Sequence, residues 1–198
     1  MYTPSLHNLA CIAKQAYGDS TYTWEGTQAL IIPCNGCMVL AFRGTESDYK
    51  DILTDMRVTP TRSDLLKGAP WVHKGFEEAL KDILETPLLG MITGPMPLYI
   101  TGHSLGGALA TLMGAYLVDK RQAPTEIVTF GSPKPGYGGG LRKLLRNTKQ
   151  TRVVNGNDHT VGETEAIKVG ATSFWDRWVS PTQRFLDHKI SRYMASLA

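Results

Sequence analysis

Gly102-His103-Ser104-Leu105-Gly106 joins a short apolar run to a long run of small and apolar residues, and few folds accommodate that junction. Pro97 to Thr101 reads as a buried strand. Gly107 to Val118, rich in Ala, Gly and Leu, reads as a helix covered on most of its surface. Strand, sharp turn and helix are the context in which G-x-S-x-G forms a nucleophile elbow. Such a turn holds its serine in a strained backbone conformation, so the residues two before and two after must be small. Gly102 and Gly106 meet that need. The seryl oxygen is then expected at the carboxyl end of a strand, above the positive end of the next helix. The competing reading, a Gly-rich turn that happens to hold a serine, leaves the flanking strand and helix unexplained.

The rest of the chain alternates strand and helix patterns. Thr3-Pro4 reads as a cap with proline at the first helical position, followed by Leu6, Leu9, Ala13 and Ala16 at helical spacing, with Gly18 ending the run. Leu30-Ile31-Ile32 and Met38 to Phe42 flank Asn35-Gly36, a strong hairpin signal. Residues 46 to 72 are polar and proline-containing and read as a functional loop or short helix. Lys74 to Leu84 reads as a helix with Phe76, Leu80, Ile83 and Leu84 on one face. Glu126 to Phe130 and Thr151 to Asn155 read as strands, Gly138-Gly139-Gly140 opens a basic helix, and Glu165 to Val169 reads as a last strand. Leu186, Ile190, Tyr193, Met194 and Leu197 mark a C-terminal amphipathic helix. This alternation predicts an α/β chain whose central sheet is mostly parallel after the first hairpin. With 198 residues and no linker or repeat, a single compact domain over 1–198 is expected.

Composition narrows the partners. A net charge of +3, with Lys and Arg spread along the chain, gives no basis for a nucleic-acid partner. No stretch approaches the roughly 18 apolar residues of a membrane span. Met1 to His7 lacks the basic region and apolar core of a signal peptide, so a cytoplasmic or phage-encoded protein is expected, an extracellular one staying open. Cys34 and Cys37 form C-x-x-C across the hairpin turn, and Cys11 lies in the first helix. Zinc would need two further ligands at suitable spacing, so the pair reads as structural, joined or not.

A serine hydroxyl needs a base, and the base needs a group to hold it. In elbow-containing hydrolases these follow in the order serine, acid, histidine. His7 and His73 precede Ser104 and His103 adjoins it, which leaves His159 and His188. Asp158, just past a predicted strand, is the favoured acid over Glu163, Asp176 and Asp187. His159 directly follows Asp158, and adjacent side chains point apart, so His188 is the favoured base. The oxyanion hole is expected from the Leu105 N–H and from Thr45, which ends Phe42-Arg43-Gly44-Thr45; a helix N-cap is the competing role for Thr45.

The chain resembles the class 3, fungal-type lipases. Val39 to Thr45 looks like the family's oxyanion strand, and Val72-His73-Lys74-Gly75-Phe76 like its V-H-x-G-F. Gly102 to Ala110 is similar to its elbow, and Thr129 to Pro133 and Arg152 to Asp158 to its next two strands. The resemblance implies an α/β-hydrolase fold, ester hydrolysis, Ser104 as nucleophile, Asp158 as acid and Thr45 as oxyanion donor. Asp55 resembles an acidic residue that braces the oxyanion loop. After Asp158 the chain departs from the family's apolar, proline-containing turn, and beyond it only His188 and Tyr193 match.

The expected protein is a serine ester hydrolase, with Ser104, Asp158 and His188 as triad and Thr45 and Leu105 as oxyanion donors. It needs no metal or organic cofactor, and its partner is an ester or lipid substrate with transient contact to a lipid surface. A lipid-binding module without catalysis, and a phospholipase or thioesterase on the same fold, are the alternatives. Among the many polar residues of 46 to 72, Tyr49, Ile52, Leu53, Met56, Leu65, Leu66 and Trp71 offer enough apolar surface to cover a cleft, but no long amphipathic helix is evident, so at most a weak cover is expected and a plain surface connection is the competing reading.

Overall fold

A computed structural model describes residues 3–44, 59–156, 167–169 and 188–198, the strand 167–169 by its backbone alone. Helix α1 (Leu6–Gln15) leads into strands β1 (Tyr22–Trp24), β2 (Thr27–Cys34) and β3 (Cys37–Phe42). Next come β4 (Pro60–Arg62), β5 (Trp71–His73), α2 (Lys74–Leu84) and α3 (Leu88–Ile92). The elbow region follows as β6 (Leu98–His103) and α4 (Leu105–Asp119), then β7 (Glu126–Phe130), β8 (Gly136–Tyr137) and α5 (Gly140–Leu144). The chain closes with β9 (Lys149–Asn155), β10 (Ile167–Val169) and α6 (Ile190–Leu197).

Among the described residues, the main sheet has seven strands in the order β1-β2-β3-β6-β7-β9-β10. The first two pairings are antiparallel, and β3, β6, β7, β9 and β10 run parallel. The hairpin turn is the expected one: Asn35 and Gly36 link β2 to β3, Gly36 takes φ +81°, and Cys34 opposes Cys37. Both thiols are free. Burial, then the adjacent Cys34 thiol, pushes the Cys37 thiol up.

Alternate residues of the central strands serve opposite faces, as a period of two requires. Leu40, Phe42, Ile100 and Ile127 face α2 and α4, where Phe76, Leu80, Ile83, Leu109, Leu112 and Met113 are buried with them. Val39, Tyr99, Val128, Phe130 and Val153 face α1 and α6, meeting Leu9, Ala10, Ala13 and Tyr193. Burying each large apolar side chain contributes about 1.5–3 kcal/mol. The resulting three layers leave only the strand ends free to carry chemistry.

Several local expectations are corrected. Ser5, not Thr3, caps α1: its hydroxyl accepts from the Asn8 N–H at 3.1 Å, while the Asn8 side chain returns to the Ser5 N–H at 3.2 Å. A reciprocal box satisfies two groups at once and outcompetes the Thr-Pro start. Of the segment 46 to 72, residues 46 to 58 lie outside the described residues, and 59 to 72 form no helix. Strands β4 and β5 pair antiparallel and β5 pairs with β8, giving a second, three-stranded sheet. Leu66, between β4 and β5, is buried in the main core. The short strands β1 and β8 and helix α3 lie below the length at which periodicity carries a signal.

Candidate active site

The elbow sits where β6 hands over to α4, at the centre of the sheet. Ser104 adopts φ 55° and ψ −126°, a region that non-glycine residues rarely occupy. The surroundings hold it there. Its N–H donates to the Phe130 carbonyl at 3.0 Å, and its carbonyl accepts from the Gly107 N–H at 2.9 Å. A methyl group on Gly102 would come within 2.2 Å of the Gly106 carbonyl oxygen. One on Gly106 would come within 2.2 Å of the Phe42 carbonyl oxygen. The glycines therefore let three backbone segments converge beneath the serine.

Serine is a preferred helix N-cap, yet the Ser104 hydroxyl does not cap α4. It stands 2.9 Å from His188 Nε2, with Ser104 1% and His188 4% exposed. A neutral imidazole accepts the hydroxyl proton at Nε2. His188 lies just before α6, whose N-cap is Lys189, rather than inside the last helix. Leu105 is the first residue of α4, so its N–H belongs to the turn whose donors lack helical acceptors. Thr45, Asp55, Asp158 and His159 lie outside the described residues. Described residues near them include Gly44, which is buried two residues past β3, and Asn155 at the end of β9, which accepts from the Ser196 hydroxyl at 3.0 Å.

Two residues that sequence reasoning passed over also reach the site. His103 was set aside as a mere neighbour of Ser104, and Tyr17 carried no signal at all. The Tyr17 hydroxyl is 2.8 Å from His103 Nδ1, and His103 Nε2 is 2.6 Å from the His188 carbonyl oxygen. Their separations of 86 and 85 residues exceed any local pattern.

A cavity of about 300 Å³ opens beside Gly44 and Leu105, lined also by Gly26, Gln28, Arg43 and Leu109. A larger one of about 600 Å³ lies at the opposite end of β6, near Leu98 and Arg121, away from Ser104.

The family model for Lipase (class 3) matches residues 39–162, well over half of the chain. The chain belongs to the class 3 lipases. It is 32% identical over 145 residues to the chloroplastic phospholipase A(1) DAD1 of Arabidopsis thaliana, covering 61% of this chain and 32% of that one. It is 30% identical over 127 residues to secreted mono- and diacylglycerol lipase 1 of Fusarium solani, covering 61% and 37%. It thus spans about a third of the length of these curated relatives. Among solved structures it is similar to Rhizomucor miehei triacylglyceride lipase, with TM-score 0.71 at 18% identity, covering 91% of this chain and 90% of that one. That likeness extends the α/β-hydrolase fold beyond the span of the family match. Among the described residues, no helix of this lipase-family chain is long and apolar enough to cross a membrane.

Proposed function

We infer that this protein is a serine carboxylic-ester hydrolase acting on acylglycerols or smaller esters. The observation that carries the reading is the 2.9 Å contact between Ser104 Oγ and His188 Nε2, made by a buried serine in a strained elbow. A serine in a merely structural turn has no need of either the strain or the imidazole. A lipid-binding module needs neither as well, so the same pair speaks against that alternative.

In this reading His188 takes the Ser104 hydroxyl proton as Oγ bonds to the ester carbonyl carbon. Charge develops on the carbonyl oxygen, where the Leu105 N–H and Thr45 donate. The carbon–oxygen bond to the alcohol then breaks, and the alkoxide leaves with the proton from His188. Water, deprotonated by the same imidazole, releases the acid and restores Ser104. Asp158, three residues past the end of β9, orients the imidazole. The names of the relatives, a phospholipase and a mono- and diacylglycerol lipase, support an esterified lipid as substrate. The compartments in their names differ, secreted in one and chloroplastic in the other.

The test is labelling with a fluorophosphonate probe beside turnover of short p-nitrophenyl esters. The wild type should label once, at Ser104. Ser104→Ala should lose the label and lower kcat by roughly 10⁴-fold or more, and His188→Ala should lower kcat comparably, since such residues act as a unit. His159→Ala should cost far less. Undiminished turnover in a folded Ser104→Ala variant overturns the reading.

A further inference from the structure

His103 is buried, 5% exposed, and both of its ring nitrogens are engaged. The His188 carbonyl can only accept, so His103 Nε2 must carry a proton and donate. In the neutral ring Nδ1 is then an acceptor, and the Tyr17 O–H donates to it. The chain of donors therefore runs from Tyr17 through His103 to the backbone of His188. The His188 side chain meanwhile meets Ser104, the residue next to His103. Segments 103–104 and 188 are thus joined at two points, one through backbone and one through imidazole.

Tyr17 also touches the third part of the site. A methyl group on Gly44 would lie 2.3 Å from the Tyr17 hydroxyl oxygen and 2.5 Å from the His103 carbonyl oxygen. Gly44 precedes Thr45, so the space given up by its missing side chain is occupied by the tyrosine hydroxyl. The turn after α1, the end of β3, the elbow and the base-bearing segment meet around one imidazole. The packing there is aromatic: the centroid of the His103 ring lies 4.8 Å from that of His188 and 5.9 Å from that of Tyr193, the latter pair in an edge-to-face arrangement.

We propose that Tyr17 and His103 are positioning residues, which hold the backbone of His188 so that its imidazole stays in line with Ser104. This rests on the ester-hydrolase reading for its kinetic consequence but not for its geometry. His188 is supplied by a chain segment 84 residues from Ser104, and proton transfer tolerates little misplacement. A buried donor aimed at the carbonyl of the base's own residue fixes its Cα, which packing of the ring alone does not.

The test uses His103→Leu, His103→Gln and Tyr17→Phe in the full chain, with turnover expressed per fluorophosphonate-titratable site. In His103→Leu, kcat should fall about 10²-fold with KM within twofold, as for a misplaced reacting group. Gln can again donate to the His188 carbonyl and should recover about tenfold of that loss, the worth of one hydrogen bond. Tyr17→Phe removes only the outer donor and should lower kcat by roughly 3- to 10-fold. The signature is in the leaving group. Alkyl esters need the imidazole to protonate the alcohol, whereas p-nitrophenyl esters do not, so alkyl-ester turnover should fall several-fold more. A merely structural role would lower the number of titratable sites and leave that ratio unchanged. An unchanged ratio and kcat per site in Tyr17→Phe overturns the proposal, and that variant serves if His103→Leu fails to fold. If the wild type hydrolyses no ester, the functional reading fails, and imidazole ¹⁵N spectra still decide this one. His103 should appear as the Nε2–H tautomer and the His188 ring should shift in Tyr17→Phe; an Nδ1–H tautomer of His103 or an unmoved His188 overturns it.

Discussion

Ser104 and its glycines show how much a single backbone position can demand. The serine's positive φ is kept only because Gly102 and Gly106 allow carbonyl oxygens to within 2.2 Å of where their side chains would begin. Those obstacles are backbone atoms, which cannot swing aside. Gly102→Ala should therefore destabilise the fold by about 1–3 kcal/mol or more, as overpacking does, and lose activity in whatever remains folded. Gly90, in α3, meets nothing within 4 Å. Gly90→Ala should be neutral or stabilising by up to about 1 kcal/mol, the helix-propensity difference. Urea unfolding of the two variants checks both; equal midpoints would mean that the elbow relaxes more readily than its geometry implies.

At the scale of elements, the β5–α2 junction carries an unusual histidine. His73 ends β5 and caps α2 without a side-chain hydrogen bond. Its ring stacks on Phe76 at 4.1 Å, and neither ring nitrogen has a hydrogen-bond partner among the described residues. Burial holds its pKa below the ordinary value. The unfolded chain takes up this proton near pH 6.5, the folded chain only at lower pH. Between those values the unfolded state binds more protons, so stability present above pH 6.5 is lost as the pH falls. A single such group changes stability by at most about 1.4 kcal/mol per pH unit. His73→Phe keeps an aromatic ring against Phe76 and removes the titration. Its melting temperature should therefore decline less than that of the wild type between pH 7.5 and 5. Parallel declines would assign the acid sensitivity to other groups.

For the whole molecule, the notable feature is that the two ends of the chain cover the same face of the sheet. α1 and α6 pack on each other over Val128 and Phe130. Tyr193 is fully buried, its ring edge-on to Phe130 at 6.0 Å and to His103 at 5.9 Å. The anchor of the last helix is thus also a wall of the site, and α6 follows directly on His188. Tyr193→Ala should cost about 3–5 kcal/mol, as for other buried aromatics, and should lower turnover per folded molecule. Tyr193→Phe, which keeps the packing, should cost much less of both. If Tyr193→Ala lost stability while its folded fraction kept full kcat, α6 would support the fold without supporting the base.

The chain's own pattern determined the elbow, the hairpin turn at Asn35-Gly36, the helix at Lys74–Leu84 and the parallel strands, because each is a local rule. Glycine placement, two-residue turns and periods of 2 and 3.6 act between near neighbours in the chain. Where local rules competed or ran short, the sequence misled: Ser5 took the cap expected at Thr3, and β4 and β5 arise in 59 to 73, where no strand was expected. The pairing of β5 with both β4 and β8 is settled by non-local hydrogen bonds, which leave no trace in a three-residue strand. Chain order left His159 and His188 as candidate bases, and the adjacency of His159 to Asp158 favoured His188; its Nε2 stands 2.9 Å from Ser104 Oγ, a contact across 84 residues that chain order cannot show, and His159 lies outside the described residues. Tyr17 and His103 were illegible beforehand for the same reason. Their partners lie more than 80 residues away, and a hydrogen bond between such residues exists only once the layers between them have packed.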